Sequence, residues 1–203
     1  MIGADAAPMT DHSDPRPRYA AALAHVHGLM IAATAGATAT DLDAPTPCAE
    51  FDVRALLGHL VTTVERVRLV GEGLDPYAVP AVVTGLDDPA AAYAETAAKA
   101  VALWADDAVL DREVTVPWGT VPGRAALWGY LNETLVHGWD LAVATGQDPE
   151  ADPDLVTPVL DAAPALLPAE PRGGRVPFAP PVAPRPGAGP TERLANWCGR
   201  GTW

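Results

Sequence analysis

Two residues with metal-binding side chains, Glu133 and His137, stand four positions apart in a mostly apolar segment. In an α-helix this spacing places both side chains on one face, where a single ion can contact both. The same pair is also common on solvent-exposed helices, where it forms only a weak ion pair. The spacing by itself therefore leaves a metal site and a surface pair as alternatives.

The residues around Glu133 favour the metal site. At about 100° per residue, one narrow face of the helix holds a line of polar and small residues: Ala126, Tyr130, Glu133, His137, Asp140 and Ala144. Apolar residues such as Trp128, Leu131 and Leu135 cover the other faces, which predicts a buried helix. A buried carboxylate without partners is strongly destabilising, and a metal ion is one suitable partner.

A second predicted helix offers a further ligand. His59 lies at the edge of the apolar stripe of this helix, and Thr63 and Arg66 continue that edge four and seven residues later. Such a polar seam is typical of a helix that faces a pocket. The alternative for His59 is a boundary histidine bonded to backbone or water. Arg66 could meet a substrate carboxylate, but a pair with an acidic neighbour is the favoured interpretation.

The composition limits the possible partners. The chain has 203 residues, of which 49% are hydrophobic, and a net charge of −13. It is large enough for a buried core, but its charge argues against binding nucleic acid or anionic membranes. We expect a soluble protein, monomeric or homodimeric, that acts on a small molecule.

Cysteine usage and the lack of an apolar targeting segment suggest the compartment. Cys48 and Cys198 cannot form a disulfide framework, which favours a reducing cytoplasm. Cys48 is predicted to be a small buried residue, and Cys198 to be structural or incidental. No signal peptide is expected, and no apolar run approaches the ~20 residues needed to cross a bilayer. A cytoplasmic location is therefore expected.

The apolar periodicity predicts an all-α fold, a helix bundle with long connections. A flexible N-terminal arm over 1–17 is expected to precede one domain over 18–203. The five predicted helices are 18 to about 40, 52–71, 89–106, 124–145 and 152–167. A short strand over 114–116 and a turn over 118–123 allow a β-hairpin before the fourth helix. A proline-rich crossover over 168–190 precedes a short C-terminal helix.

Several motifs resemble a family of actinobacterial metal-binding proteins. This family is similar to the metal-binding domain of mycothiol-dependent maleylpyruvate isomerase, within the DinB-like superfamily. The start of the second helix carries three of the motifs: Thr46-Pro47-Cys48, Asp52-Val53-Arg54 and Leu57-Gly58-His59-Leu60. The most specific segment runs from Glu133 to Ala142 and is followed by Thr145-Gly146-Gln147. Residues 178–182 and 193–203 also resemble the family's C-terminal pattern.

The resemblance implies a DinB-like four-helix bundle in which His59, Glu133 and His137 bind one divalent metal. Zinc suits these ligands best, with nickel, cobalt or iron as alternatives. Three protein ligands leave at least one coordination position open, as in catalytic sites. Asp140, one turn after His137, is the candidate to orient that histidine. A hydrogen bond at the helix end or in the tryptophan loop is its alternative role.

Two positions depart from the family pattern. Phe51 stands where tryptophan is usual, and Gly201-Thr202 replaces an acidic residue and proline. Neither position is expected to touch a ligand. Asp140 and Arg66 are the candidate catalytic residues. No thiol-binding or substrate-binding residue of the isomerase can be matched to this chain, so none is carried over.

The implied activity is that of a mycothiol-dependent transferase or isomerase acting on a small electrophilic metabolite. One alternative is a metal-dependent hydrolase or lyase in a biosynthetic pathway. Another is a non-catalytic protein that binds a metal or senses a ligand. The fold does not decide among these alternatives, because related sites support different chemistry.

Overall fold

The computed structural model describes residues 14–173, 176, 178–201 and 203. Eight α-helices are found in these residues: α1 (Arg16–Thr34), α2 (Ala39–Leu42), α3 (Val53–Glu72), α4 (Pro89–Trp104), α5 (Asp107–Asp111), α6 (Gly123–Ala144), α7 (Pro153–Leu166) and α8 (Pro190–Trp197). A 3-10 helix covers Pro76–Ala78. Strands β1 (Glu113–Val116) and β2 (Gly119–Pro122) form an antiparallel hairpin.

Four long helices form a bundle around one apolar core. Helix α1 packs against α4 and α6, and α3 packs against the same two helices. Helices α7 and α8 pack against each other and against α6. This mostly helical architecture, with its hairpin and short C-terminal helix, confirms the predicted fold class.

Helix α3 begins and ends close to the predicted residues. The Asp52 carboxylate accepts a hydrogen bond from the Ala55 backbone N–H at 2.7 Å, which caps the first turn. At the other end, Gly73 adopts a φ of 78°, a conformation that favours glycine and ends the helix. These two ends fix where His59 lies along the bundle.

Helix α6 is buried on most of its surface, as its sequence predicts. Its polar residues Thr134, His137 and Asp140 are buried together with its apolar ones. Gly138 permits the close approach of α1, because a Cβ atom there would lie only 2.7 Å from Cγ2 of Val26. Because His137 is buried, the face that it shares with Glu133 points into the bundle.

Two short helices were not predicted. The first helix was expected to continue to about residue 40 but ends at Thr34, and Gly36 then adopts a φ of 70°. Thr38 starts the separate helix α2 through reciprocal hydrogen bonds with Asp41. The third predicted helix ends at Trp104 instead of 106, because Asp106 caps the new helix α5.

The hairpin and the chain termini also differ from the predictions. The turn expected over 118–123 is wrong, because Gly119–Pro122 pairs with β1 as a second strand. The turn is formed instead by Pro117 and Trp118. Helix α1 begins at Arg16, within the predicted arm, and residues 1–13 and Thr202 lie outside the described residues. Within the described part of the chain, no helix is long and apolar enough to span a membrane.

Candidate metal centre

His59 from α3 and Glu133 and His137 from α6 come together inside the bundle. The Glu133 Oε1 atom lies 3.5 Å from Nε2 of His59 and 3.3 Å from Nε2 of His137. One ligand atom from each residue lies within 4.8 Å of the other two. Two imidazole nitrogens and a carboxylate oxygen are a donor set that fits a divalent transition metal.

The other ring nitrogen of His59 is held by the backbone. His59 Nδ1 lies 2.9 Å from the carbonyl oxygen of Ala81. Because a carbonyl oxygen only accepts, Nδ1 carries a proton and donates, and in the neutral ring Nε2 keeps its lone pair for the site. This contact depends on Gly58, since a Cβ atom there would collide with the carbonyl oxygen of Val83. Glycine at position 58 thus lets residues 81–83 lie against α3.

His137 is held in the corresponding way by a carboxylate. Its Nδ1 lies 3.0 Å from Oδ2 of Asp140, which is fully buried. Arg200 donates to both oxygens of Asp140, from Nε to Oδ1 at 3.0 Å and from Nη2 to Oδ2 at 2.8 Å. A carboxylate behind a histidine fixes the ring and makes its opposite nitrogen a better metal ligand.

The charges at the site complement each other. Burial raises the pKa of Glu133, but the charges and hydrogen bonds of His137 and His59 have the larger effect. They hold the pKa of Glu133 well below its usual range. Burial also opposes the charged form of His137, but Glu133 and Asp140 raise its pKa to about 9. The metal-free site therefore contains an ionised Glu133 and a protonated His137. A cation that binds here replaces the His137 proton.

A second group of possible ligands shares His137. Cys48, His137 and Asp140 also offer atoms within 4.8 Å of one another. This group would need His137 Nδ1, which already faces Asp140, and Asp140 is paired with the positively charged Arg200. Burial raises the pKa of the Cys48 thiol, which disfavours a thiolate ligand. The His59, Glu133 and His137 group is therefore the better candidate, and Cys48 is buried beside it, as predicted.

Phe51 forms an apolar wall of the site. Its ring centroid lies 4.6 Å from that of His59 and 6.1 Å from that of His137. The expectation that this position lies away from the ligands is therefore wrong. The residue immediately precedes the Asp52 cap of α3, and this position brings its ring against the two histidines.

The acidic partner that the sequence favoured for Arg66 is not found among the residues that the structure describes. Its guanidinium lies over the ring of Tyr77, 5.9 Å from the centroid. Within the described residues, Arg66 forms no ion pair, and the adjacent Glu65 pairs instead with Arg68. The Arg66 Nε atom is buried without a hydrogen-bond partner.

Three contacts at the site are not predicted by the sequence. The Ala81 carbonyl carries no side-chain signal, because any residue there offers the same group. Arg200 belongs to the C-terminal pattern, but nothing in the sequence pairs it with Asp140. The Phe51 ring contact could have been suspected only from its position next to the predicted start of α3.

Two of three comparisons with known proteins give a match. A family model described as the mycothiol maleylpyruvate isomerase N-terminal domain matches residues 23–142, which include His59, Glu133, His137 and Asp140. The chain is 34% identical over 197 residues to the uncharacterized protein MT0763 of Mycobacterium tuberculosis strain CDC 1551 / Oshkosh. It is equally similar to the uncharacterized protein Rv0738 of Mycobacterium tuberculosis strain ATCC 25618 / H37Rv. Each alignment covers 95% of this chain and 97% of the relative. No solved structure matches the chain.

Proposed function

The chain belongs to the mycothiol maleylpyruvate isomerase N-terminal domain family, and on this premise we propose that it is a metal-dependent enzyme that uses mycothiol. Its reaction is the transfer of the thiol to a small electrophilic metabolite, or the isomerisation of such a metabolite. The observation that carries this proposal is the convergence of His59, Glu133 and His137, with both histidines held from behind through Nδ1.

In this proposal His59, Glu133 and His137 hold one divalent ion. Zinc suits two imidazoles and a carboxylate, and nickel, cobalt and iron are the other candidates. When bound with an open coordination position, the ion stabilises a thiolate at neutral pH and acts as a Lewis acid. Glu133 is the one anionic group among the three ligands, so a divalent ion held by them would keep a net positive charge that suits an anionic sulfur.

The surrounding residues keep the ligands in place and limit access of water. Asp140 accepts the Nδ1 proton of His137, and Arg200 keeps that carboxylate ionised. Phe51 covers the two histidine rings on one side. The Glu133 side chain is 28% exposed, compared with 10% for His59 and 7% for His137. A thiol and its substrate would therefore reach the site past Glu133.

The use of a reduced thiol and the negative charge of the chain define the setting in which the protein works. The activity belongs in the cytoplasm, where low-molecular-weight thiols are kept reduced. The substrate is a small molecule, and the strongly negative chain does not engage nucleic acid or membranes. The protein acts as a monomer or a homodimer.

Titration of cobalt-substituted protein with mycothiol tests the proposal. Cobalt reports directly on its ligands through its visible spectrum, so a thiolate ligand should add a charge-transfer band that saturates at one equivalent. The loaded protein should then consume mycothiol faster in the presence of small electrophiles, and glutathione serves as the comparison thiol. No spectral change, together with no acceleration for any electrophile, would contradict the proposal.

A further inference from the structure

Two buried polar groups beside the metal centre have no hydrogen-bond partner among the described residues. They are the Nε atom of Arg66 and the hydroxyl of Tyr130. Tyr130 is only 2% exposed, so water from the bulk does not readily satisfy it. An unpaired buried donor is strongly unfavourable, and such groups are rare unless a water or a ligand completes them.

Both groups lie on the helix faces that carry the metal ligands. Tyr130 precedes Glu133 by three residues on α6, which is about 5 Å along the helix axis. Arg66 follows His59 by seven residues on α3, about 10 Å along that axis, and its side chain is long enough to reach back. Burial raises the pKa of Tyr130, Arg66 lowers it and Glu133 raises it. The hydroxyl therefore lies within the influence of both charges and remains a donor at neutral pH.

Two exposed aromatic residues flank these groups. Tyr77 is 64% exposed and Trp118 is 54% exposed. The Tyr77 ring covers the Arg66 guanidinium, and the Trp118 ring lies edge-on to that of Tyr130, with centroids 5.1 Å apart. A hydrogen bond of 3.2 Å from the Tyr77 hydroxyl to the Pro117 carbonyl oxygen ties the 3-10 helix to the hairpin turn. Exposed rings beside unpaired donors are typical of a ligand site at the surface.

The charge of Arg66 indicates the kind of ligand. The chain has 26 acidic and 13 basic residues apart from histidine, yet Arg66 has no ion pair within the described part of the chain. A guanidinium presents paired N–H donors that match a carboxylate, and the Tyr130 hydroxyl adds a neutral donor. A cationic ligand would leave the Arg66 guanidinium without a counter-charge, and an apolar ligand would leave both donors unsatisfied.

We propose that Arg66 and Tyr130 form a subsite that binds a carboxylate group of the substrate while its reactive end lies at the metal centre. This inference rests on the proposed function, because it takes the metal position as the reacting end of the site. It makes the substrate a small carboxylate with an electrophilic group about 5–10 Å away, the rise along the helices that separates these two residues from the metal ligands.

Hydroxamates test the subsite without requiring the thiol. They bind an accessible zinc ion through two oxygens, so the rest of the probe can be varied. The probes are the monohydroxamates of succinic and glutaric acid and their methyl esters, titrated calorimetrically into zinc-loaded full-length protein. We expect at least one acid to bind about tenfold more tightly than its ester, the effect of about one charge-assisted hydrogen bond.

Variants then assign this preference to the two residues. Arg66→Gln should abolish the preference for the acid while leaving the affinity for the ester unchanged, and Tyr130→Phe should reduce it severalfold. Arg54→Gln is the matched control, because it removes an exposed ion pair with Asp43 from the same helix. If Arg66→Gln fails to fold or to bind zinc, Arg66→Lys replaces it as the test. Lysine keeps the charge but should lose part of the preference for the acid over the ester.

The possible results separate the two proposals. The carboxylate subsite is overturned if acid and ester bind equally to the unmodified protein. It is also overturned if the preference for the acid survives in Arg66→Gln or is undiminished in Arg66→Lys. Each of these results leaves the thiol chemistry intact. If no hydroxamate binds to the zinc-loaded protein, the accessible metal position itself is wrong, and the proposed function fails together with the subsite.

Discussion

Arg200 donates from two nitrogen atoms to the fully buried carboxylate of Asp140, from Nε at 3.0 Å and from Nη2 at 2.8 Å. The two residues are 60 positions apart in the chain. Asp140 Oδ2 also lies 3.0 Å from Nδ1 of His137. The end of the chain is thereby connected to a candidate metal ligand through one carboxylate. Any change in this pair should affect both folding stability and metal affinity.

Arg200→Met should destabilise the metal-free protein by about 3 kcal/mol, because it leaves the charge of Asp140 buried with fewer partners. The metal affinity should fall as well, since His137 loses a firmly held partner. Urea unfolding and metal titration measure the two effects. Arg124→Met is the matched control: it breaks a partly exposed pair with Asp111 and should lower the free energy of unfolding by less than about 1 kcal/mol. Equal losses in the two variants would contradict the role assigned to Arg200.

Asp140→Asn should weaken metal binding about 10-fold to 100-fold while preserving the helical content. The amide is similar in shape but lacks the negative charge that supports the Nδ1 proton of His137. Competition with a chromophoric chelator measures the dissociation constant, and circular dichroism checks the fold. A dissociation constant that changes less than twofold would mean that Asp140 serves only the packing of the helix.

Gly58→Ala should destabilise the protein by about 1–3 kcal/mol and weaken metal binding. The added Cβ would meet the Val83 carbonyl oxygen and push away the segment whose Ala81 carbonyl holds His59. Gly28→Ala on α1 is the matched control, because a Cβ there meets nothing within 4 Å. It should stabilise the helix by about 1 kcal/mol. Stabilisation by both changes would contradict the close approach at Gly58.

Metal binding at neutral pH should release a proton from His137. Burial disfavours its charge, but Glu133 and Asp140 raise its pKa from 6.5 to about 9. The charged histidine thus stabilises the metal-free protein fully below pH 6.5, and this stabilisation is lost as the pH rises through about 9. Metal affinity should change in the opposite sense and increase over the same range.

Calorimetry in buffers of different ionisation enthalpy measures this proton release. The apparent binding enthalpy should vary linearly with the buffer enthalpy, with a slope of about one proton per ion. An apparent enthalpy independent of the buffer, together with a flat affinity between neutral pH and pH 9, would show that His137 is not protonated in the metal-free protein.

The local part of the site could be predicted from the sequence. Glu133 and His137 belong to one helix, where spacing alone determines which side chains share a face. His59 could be placed at the edge of an apolar stripe in the same way. The capping signals at Asp52 and Gly73 also act within a few residues, so both ends of α3 are close to their predicted positions.

The remainder depends on contacts between distant parts of the chain. Ala81 reaches His59 across 22 residues, and Arg200 reaches Asp140 across 60. No periodicity encodes such pairs, because they follow from how whole helices and loops pack. The short helices α2 and α5 were missed for a different reason: each has five residues or fewer, too few to show an apolar repeat.

The central claim is that His59, Glu133 and His137 hold one divalent metal, and the metal content of purified protein tests it most directly. Elemental analysis after reconstitution should find about one ion per chain in the unmodified protein and in His25→Ala, a control on α1. His137→Ala should lose stoichiometric metal while keeping most of its helical circular dichroism. An unmodified protein that retains no ion, or a His137→Ala variant with unchanged metal content, would contradict the assignment.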